Sequence, residues 1–252
     1  GVVALLGVSL LFYMYKQAMQ ENIIEQTLAF PDFPQSFGEI RIFFISDIHK
    51  RKISPEFISK INNIDLVIIG GDLMEKKVPL TQVSENIEQL KKLGIVFFVW
   101  GNNDYEVDYH ELDSLLLQHG VKILDNTSYL FESEHGDRLE LVGVDDLVHE
   151  RDELKTALEE TKSESFKILI SHEPEIVDKF TAAEKISLVL SGHTHGGQIR
   201  IFGFGPHEKG RLTHLPHTTQ LISNGFGTSL VPLRLGAPSE THILTVTTRA
   251  EA

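Results

Sequence analysis

The chain contains no cysteine among its 252 residues. Disulfides, thiolate zinc sites and a cysteine nucleophile are therefore excluded, and any metal site has to be built from His, Asp, Glu and Asn. Positive charge is scarce as well: 23 Lys and Arg stand against 36 Asp and Glu, a formal net charge of −13. That balance argues against a surface that tracks a nucleic-acid backbone, so no nucleic-acid partner is expected. An anionic substrate would need local positive charge, which bound metal ions supply. There is no internal repeat and no low-complexity segment. The uncharged apolar stretch from Val2 to Tyr15 falls short of the ~20 residues that a bilayer-crossing helix needs.

What is present begins with that stretch, closed by Lys16 with Tyr13 and Tyr15 beside it. It reads as the C-terminal part of a membrane anchor or signal-anchor, since a few residues ahead of Gly1 would complete a span. A soluble amphipathic helix and a cleaved signal peptide are the alternatives. The expected organisation is an anchor over residues 1–16, a Pro-interrupted linker over 17–38 (Pro31, Pro34) and one domain over 39–252. Within the domain, buried strand patterns at Ile40–Ile45, Leu66–Ile69, Ile95–Trp100, Phe166–Ile170 and Ile186–Leu190 alternate with helical patterns at Pro55–Ile61, Val83–Leu93, Tyr109–Gln118 and Glu150–Thr161. Shorter strand-like runs lie between Val121 and Val144 and near the C-terminus, so a layered α/β domain is expected.

Each of the five buried strands runs into a polar cluster: Asp47 and His49; Asp72; Asn102; His172; His193 and His195. A single apolar strand followed by a polar turn is ordinary. Five in series, each followed by a residue that binds metal through oxygen or imidazole nitrogen, are hard to explain as solvated loops. On a strand of period two, His193 and His195 would share a face, and the glycines around them would let a ligand come close. Mixed imidazole and carboxylate donors suit Mn, Fe or Zn, and seven of them suit two ions better than one.

The ordered blocks Asp47-x-His49, Gly71-Asp72, Gly101-Asn102, His172 and Gly192-His193-Thr194-His195 resemble the calcineurin-like metallophosphoesterase superfamily. The resemblance spans roughly residues 40 to 247. Further blocks, Gly196-Gly197-Gln198-Ile199, Gly227-Thr228-Ser229 and Pro232 to Pro238, are similar to a membrane-associated bacterial branch of phosphodiesterases and lipid-nucleotide pyrophosphatases. The resemblance implies a four-layer α/β/β/α sandwich and two divalent ions. Asp47, His49 and His195 would hold the first ion and Asn102, His172 and His193 the second, with Asp72 bridging. It also implies a metal-bridging hydroxide that attacks phosphorus in line, hydrolysing a phosphodiester, pyrophosphate or phosphomonoester. An anchor implies a cell-membrane location and makes an amphiphilic substrate attractive.

One position departs from the family pattern. The residue after the metal-binding Asn is usually His, which contacts the phosphate or assists the leaving group; here it is Asn103. An amide can donate a hydrogen bond to an oxyanion but cannot transfer a proton at neutral pH. The expectation is a preference for leaving groups that depart unprotonated, or a substitute acid. Asp104 is expected to orient Asn102 or a ligand histidine. Arg234 reads either as a phosphate clamp or as a partner of a surface carboxylate, and His207 as a substrate contact. The competing class is a noncatalytic, membrane-tethered protein that keeps the metal cradle as scaffold.

Overall fold

The computed structural model describes residues 1–248; the expected domain end at residue 252 lies outside them. In chain order the elements are α1 (Val2–Ala18), β1 (Asn22–Phe30), β2 (Glu39–Ile45), α2 (Pro55–Ile58), β3 (Leu66–Ile69), α3 (Leu80–Lys91) and β4 (Ile95–Phe98). Then come α4 (Tyr109–Gln118), β5 (Lys122–Ile123), β6 (Thr127–Glu132), β7 (Arg138–Gly143), α5 (Leu154–Glu159), β8 (Phe166–Ile170), β9 (Ile186–Ser191), β10 (Arg211–His214), β11 (Thr219–Ile222) and β12 (Glu240–Thr248). Two six-stranded sheets result, ordered β1-β12-β2-β3-β4-β5 and β10-β11-β9-β8-β7-β6.

The alternation of side chains across each strand assigns the layers. In β2, Ile42 and Phe44 enter the core between the sheets, whereas Phe43 and Ile45 face outward to α2 and α3. β3 repeats this with Ile68 inside and Val67 and Ile69 outside. In the second sheet Ile168 and Leu188 point inward, while Leu169 and Val189 pack under α5. Strands buried on both faces read as continuous apolar runs, and that is how these runs read. Helix, sheet, sheet and helix therefore stack as four layers, the expected architecture.

Within the first sheet β2, β3, β4 and β5 are parallel, and within the second β7, β8, β9 and β11 are parallel. Parallel strands end on one edge, so the loops after β2, β3, β4, β8 and β9 gather there. Cross-sheet backbone hydrogen bonds tie the edge together: Phe226 N–H donates to the Ser46 carbonyl and Gly227 N–H to that of Asp47.

The linker expected over residues 17–38 is not what the structure contains. Asn22–Phe30 is β1, paired parallel with β12 along its whole length at the sheet edge. Leu28 and Phe30 are buried, and Phe33 stacks edge-on against Phe166 at 5.1 Å. Its partner lies more than two hundred residues away in sequence, and polar Glu25 and Gln26 together with the two prolines hid the pattern. The charged helix expected over Glu150–Thr161 shortens to α5, because Arg151 turns back to pair with Asp145 at 3.0 Å. α1 is a helix of 17 residues. No helix among the described residues is long and apolar enough to cross a membrane.

If residues 22–30 are part of the sheet, Phe30→Ala should lower unfolding stability by about 3 kcal/mol, read by urea denaturation of the full chain. A tether would tolerate the change without effect.

Candidate metal centre

Three of the five strands, β2, β3 and β9, run into turns where the backbone changes hand. Asp47, His49, Asp72, His193 and His195 have φ between 50° and 68°, in the left-handed region. For a residue with a Cβ this costs about 1–2 kcal/mol. The turn sends each side chain across the sheet edge toward the opposite sheet instead of along the strand. The shared strand face expected for His193 and His195 gives way to this geometry. β9 stops at Ser191, both histidines lie in the turn beyond it, and their rings diverge to different neighbours.

Glycine makes the convergence sterically possible at two points. A Cβ on Gly192 would lie 2.4 Å from Asp47 Oδ2, and one on Gly101 would lie 2.4 Å from both the backbone nitrogen and Oδ1 of Asp72. Neither carboxylate could occupy its position beside a larger residue.

The seven expected ligand residues come together in one site. Asp47, His49 and His195 form one group of donors within 4.8 Å of one another, and Asp47, Asp72 and His172 form another. His49 Nε2 and His195 Nε2 are 3.1 Å apart, and Asp47 Oδ1 lies 3.4 Å from the latter. On the other side His193 Nδ1 is 3.0 Å from Asn102 Oδ1. Asp72 stands between: its Oδ2 lies 3.7 Å from His49 Nε2 and 3.2 Å from His172 Nε2, while its Oδ1 accepts the Asn103 N–H at 2.8 Å. His172 Nδ1 faces the Gly70 carbonyl at 2.7 Å, which fixes the ring with Nε2 aimed into the site.

The charge balance shows what this cluster accepts. Burial opposes charge on His172 and His49, yet neighbouring carboxylates prevail and hold both imidazoles above their ordinary pKa, His172 well above it. Asp47 and Asp72 are held low: burial alone would raise them, and the surrounding histidines more than reverse that. His195 is pushed down to about 3, first by burial, so its ring is neutral and free to coordinate. Buried carboxylates that draw protons onto two imidazoles offer the same sites to metal ions, whose binding displaces those protons. His172 Nε2 is buried with no well-aligned hydrogen-bond partner, only Asp72 Oδ2 at 3.2 Å, which is the condition of a ligand atom. The donor set therefore fits divalent cations.

The residues expected around the ligands divide. Asn103 lines a cleft of about 290 Å³ over the site together with His193, Gln198, Pro206 and His207, and its amide donates to Glu106 Oε1 at 3.0 Å. His207 thus reaches the site, on a loop that Arg200 pins through the His207 carbonyl. Asp104 does not orient Asn102 or a histidine. Fully buried, it accepts backbone N–H groups from Asp72, Gly101 and Met74 at 2.9–3.1 Å and so joins two ligand loops. Burial and the Asp72 charge push its pKa up to about 7.

Arg234 is neither a phosphate clamp nor a surface partner. It is fully buried, and its five N–H donors meet the carbonyls of Gly227, His195, Ala237, Asn224 and, again, Gly227. The guanidinium ties the His195 turn to the loop at 224–237 and has no donor left for a ligand.

Two residues near the ligands were not anticipated. Glu75 Oε2 lies 3.0 Å from His49 Nδ1 and orients that ring, and Lys50 pairs with the same carboxylate. Glu173 is buried beside His172 and His193, with its pKa raised to about 8, first by burial. Only its adjacency to His172 could have pointed to it.

The Calcineurin-like phosphoesterase family matches residues 40–197. YpbG of Bacillus subtilis is 43% identical over 251 residues, covering 98% of this chain and 95% of that protein. A transmembrane protein with metallophosphoesterase domain from Danio rerio is 30% identical over 248 residues, 88% of this chain but only 56% of the relative. Among solved structures, the phosphopantetheinyl hydrolase PptH of Mycobacterium tuberculosis superposes with a TM-score of 0.51 at 13% identity, over 73% of this chain and 89% of that one. That similarity extends to the fold.

Arg234→Lys tests the buried guanidinium. A lysine cannot meet five carbonyl contacts, so a stability loss on the order of 3 kcal/mol is expected in chemical denaturation. A phosphate clamp would instead leave stability unchanged and weaken phosphate inhibition.

Proposed function

The chain belongs to the calcineurin-like phosphoesterase family, and from that premise we propose that it hydrolyses a phosphodiester, pyrophosphate or phosphomonoester with two divalent ions, Mn, Fe or Zn. Asp47, His49 and His195 would hold one ion, Asn102, His172 and His193 the other, and Asp72 both. The observation that carries this reading is the position of Asp72 Oδ2 between His49 Nε2 and His172 Nε2, one from each donor set. When bound, the two ions neutralise phosphoryl charge and make water nucleophilic at neutral pH.

The protein's own groups do the rest. The Asn103 backbone N–H holds Asp72 Oδ1, so Oδ2 is the oxygen presented to the ions. The Asn103 side chain, at the cleft wall, can donate a hydrogen bond to a phosphoryl oxygen but cannot give a proton to the leaving group. His207 lines the same cleft, and its imidazole is the substitute acid in this reading. The buried Glu75 keeps the His49 ring in one orientation.

We also propose that α1 attaches the domain to a membrane. Ten large apolar or aromatic side chains between Val2 and Tyr15 are exposed, and Met14 and Ala18 are the buried residues of the helix. A helix apolar on all sides calls for an apolar surrounding. An amphiphilic phosphoester is then the natural substrate class.

Metal-stripped protein should not hydrolyse bis-p-nitrophenyl phosphate, and added Mn, Zn or Fe should restore turnover. Asp72→Asn should remain inactive with metal added. Absence of turnover in protein shown by elemental analysis to hold two ions would favour a noncatalytic scaffold.

The leaving group reports on the proton donor. His207→Gln should lower kcat/KM for an alkyl phosphoester by roughly 10² or more and barely change it for p-nitrophenolate, because general acid assistance matters most for poor leaving groups. Asn103→His should raise turnover of alkyl phosphomonoesters selectively. Equal effects on both ester types would remove His207 and Asn103 from proton transfer.

A further inference from the structure

The joint between α1 and the domain is rigid. The Arg234 N–H donates to the Met14 carbonyl at 3.0 Å, Gly236 N–H to Gln17 Oε1 at 3.1 Å, and Arg51 to the carbonyls of Ala18 and Met19. β1 starts at Asn22, so no tether intervenes. Whatever surrounds the helix therefore stands in a fixed relation to the loops at its C-terminal end.

Those loops carry exposed apolar side chains on the rim of the metal centre. Phe202 is 97%, Phe204 82% and Leu230 94% exposed. The first two sit on a tight turn closed by reciprocal Ile201 and Phe204 backbone hydrogen bonds. Leu230 sits on the loop that faces Ala18 and Met19 across a second cleft of about 430 Å³. Gln198 joins the two loops, donating to the carbonyls of Ser229 and Val231 and accepting from Ser229 N–H. Gln198, Pro206, His207 and Ser229 also line the catalytic cleft, so the apolar tips stand on the same loops as its wall.

The occupant of this face follows from two features. Leu10, Leu11, Phe12 and Tyr13 are exposed at four successive positions, more than one full helical turn, so the helix is apolar around its circumference. A protein groove covers a stripe, whereas lipid surrounds a helix. Charge points the same way: the rim segment 200–211 carries Arg200, Lys209 and Arg211 against Glu208 alone, in a chain of net charge −13. Lys52 lines the second cleft beside Leu230, with Lys50, which pairs with Glu75, and Glu21 on the same wall. A locally basic rim on an acidic protein complements an anionic lipid surface.

We propose that Phe202, Phe204 and Leu230 form a second membrane contact that seats the mouth of the catalytic cleft on the bilayer, with α1 as the first. This deepens the membrane reading above and rests on it. The phosphorus reached through the mouth is then one carried by an amphiphile in that bilayer, its apolar part remaining among the tips and the lipid.

Because the chain has no cysteine, single thiols can be placed cleanly. Full-length Phe202→Cys and Leu230→Cys, labelled with nitrobenzoxadiazole, would be mixed with vesicles of phosphatidylglycerol and phosphatidylcholine. His135→Cys serves as control, because its turn precedes β7 at the opposite end of the sheet from the site. A blue shift, with quenching by nitroxide-labelled lipid, at 202 and 230 but not at 135 is the expected result. Solvent-like emission at 202 and 230 in protein that floats with the vesicles would overturn the proposal and leave α1 as the sole contact. Failure of the chain to float would overturn both membrane readings. Turnover of soluble bis-p-nitrophenyl phosphate, measured on the same samples, reports separately on the hydrolytic reading, so shifted labels without turnover would uphold the docking face and remove the catalysis.

Discussion

The structure depends on two carboxylates, Asp47 and Asp72, buried within reach of the same histidines. Placing like charges together in a dry volume is strongly unfavourable unless each is hydrogen-bonded and opposed by positive charge. Backbone N–H groups of His193 and Asn103 meet one part of that requirement. The elevated proton affinity of His49 and His172 meets another, and metal ions would meet it more fully. The glycines at 101 and 192, the reversed backbone at five ligand positions and the buried Asp104 and Arg234 all serve to keep these carboxylates where they are. The apolar interior between the sheets supplies the stability that such an arrangement consumes.

That dependence explains what could be read in the sequence. The buried strands are local signals: β2, β3, β4, β8 and β9 each announce themselves as apolar runs with a polar end, and parallel pairing makes those ends coincide. The metal-binding residue types at the ends were legible because little else accounts for His and Asp in that position. The strand β1 was not legible, since its partner β12 lies at the far end of the chain and its polar residues face solvent. Nor was the role of Arg234, since a sequence shows a guanidinium but not the carbonyls it will meet. A turn rich in Gly and Pro looks the same whether its arginine points to solvent or into the loop core.

Asp104 teaches the related lesson for carboxylates. Its neighbours Asn102 and Asn103 stand at the centre, so adjacency suggested a polar contact with a ligand. In the structure it caps backbone nitrogen atoms of two loops, including that of Asp72, and acts on the site by fixing main chain. Glu75, three residues beyond Asp72, carries the ring-orienting role that had been expected of Asp104. Positions on a tight turn alternate between facing the ligands and facing the scaffold, and spacing alone does not tell which.

A rigid joint and a flexible tether confine an enzyme to a surface in different ways. A flexible tether raises the local concentration of membrane substrate but lets the cleft point anywhere, so each encounter must still find the orientation. Here the hydrogen bonds from Arg234, Gly236 and Arg51 to the end of α1 set the helix direction relative to the domain, so a surface that held the helix would hold the domain in one orientation. Such a joint suits a substrate presented in one plane and gives no advantage for one that arrives from solution. The same loop, residues 224–237, meets α1, carries Leu230 and is tied by Arg234 to the turn bearing His195. One segment therefore couples the position of α1 to the geometry of the metal centre.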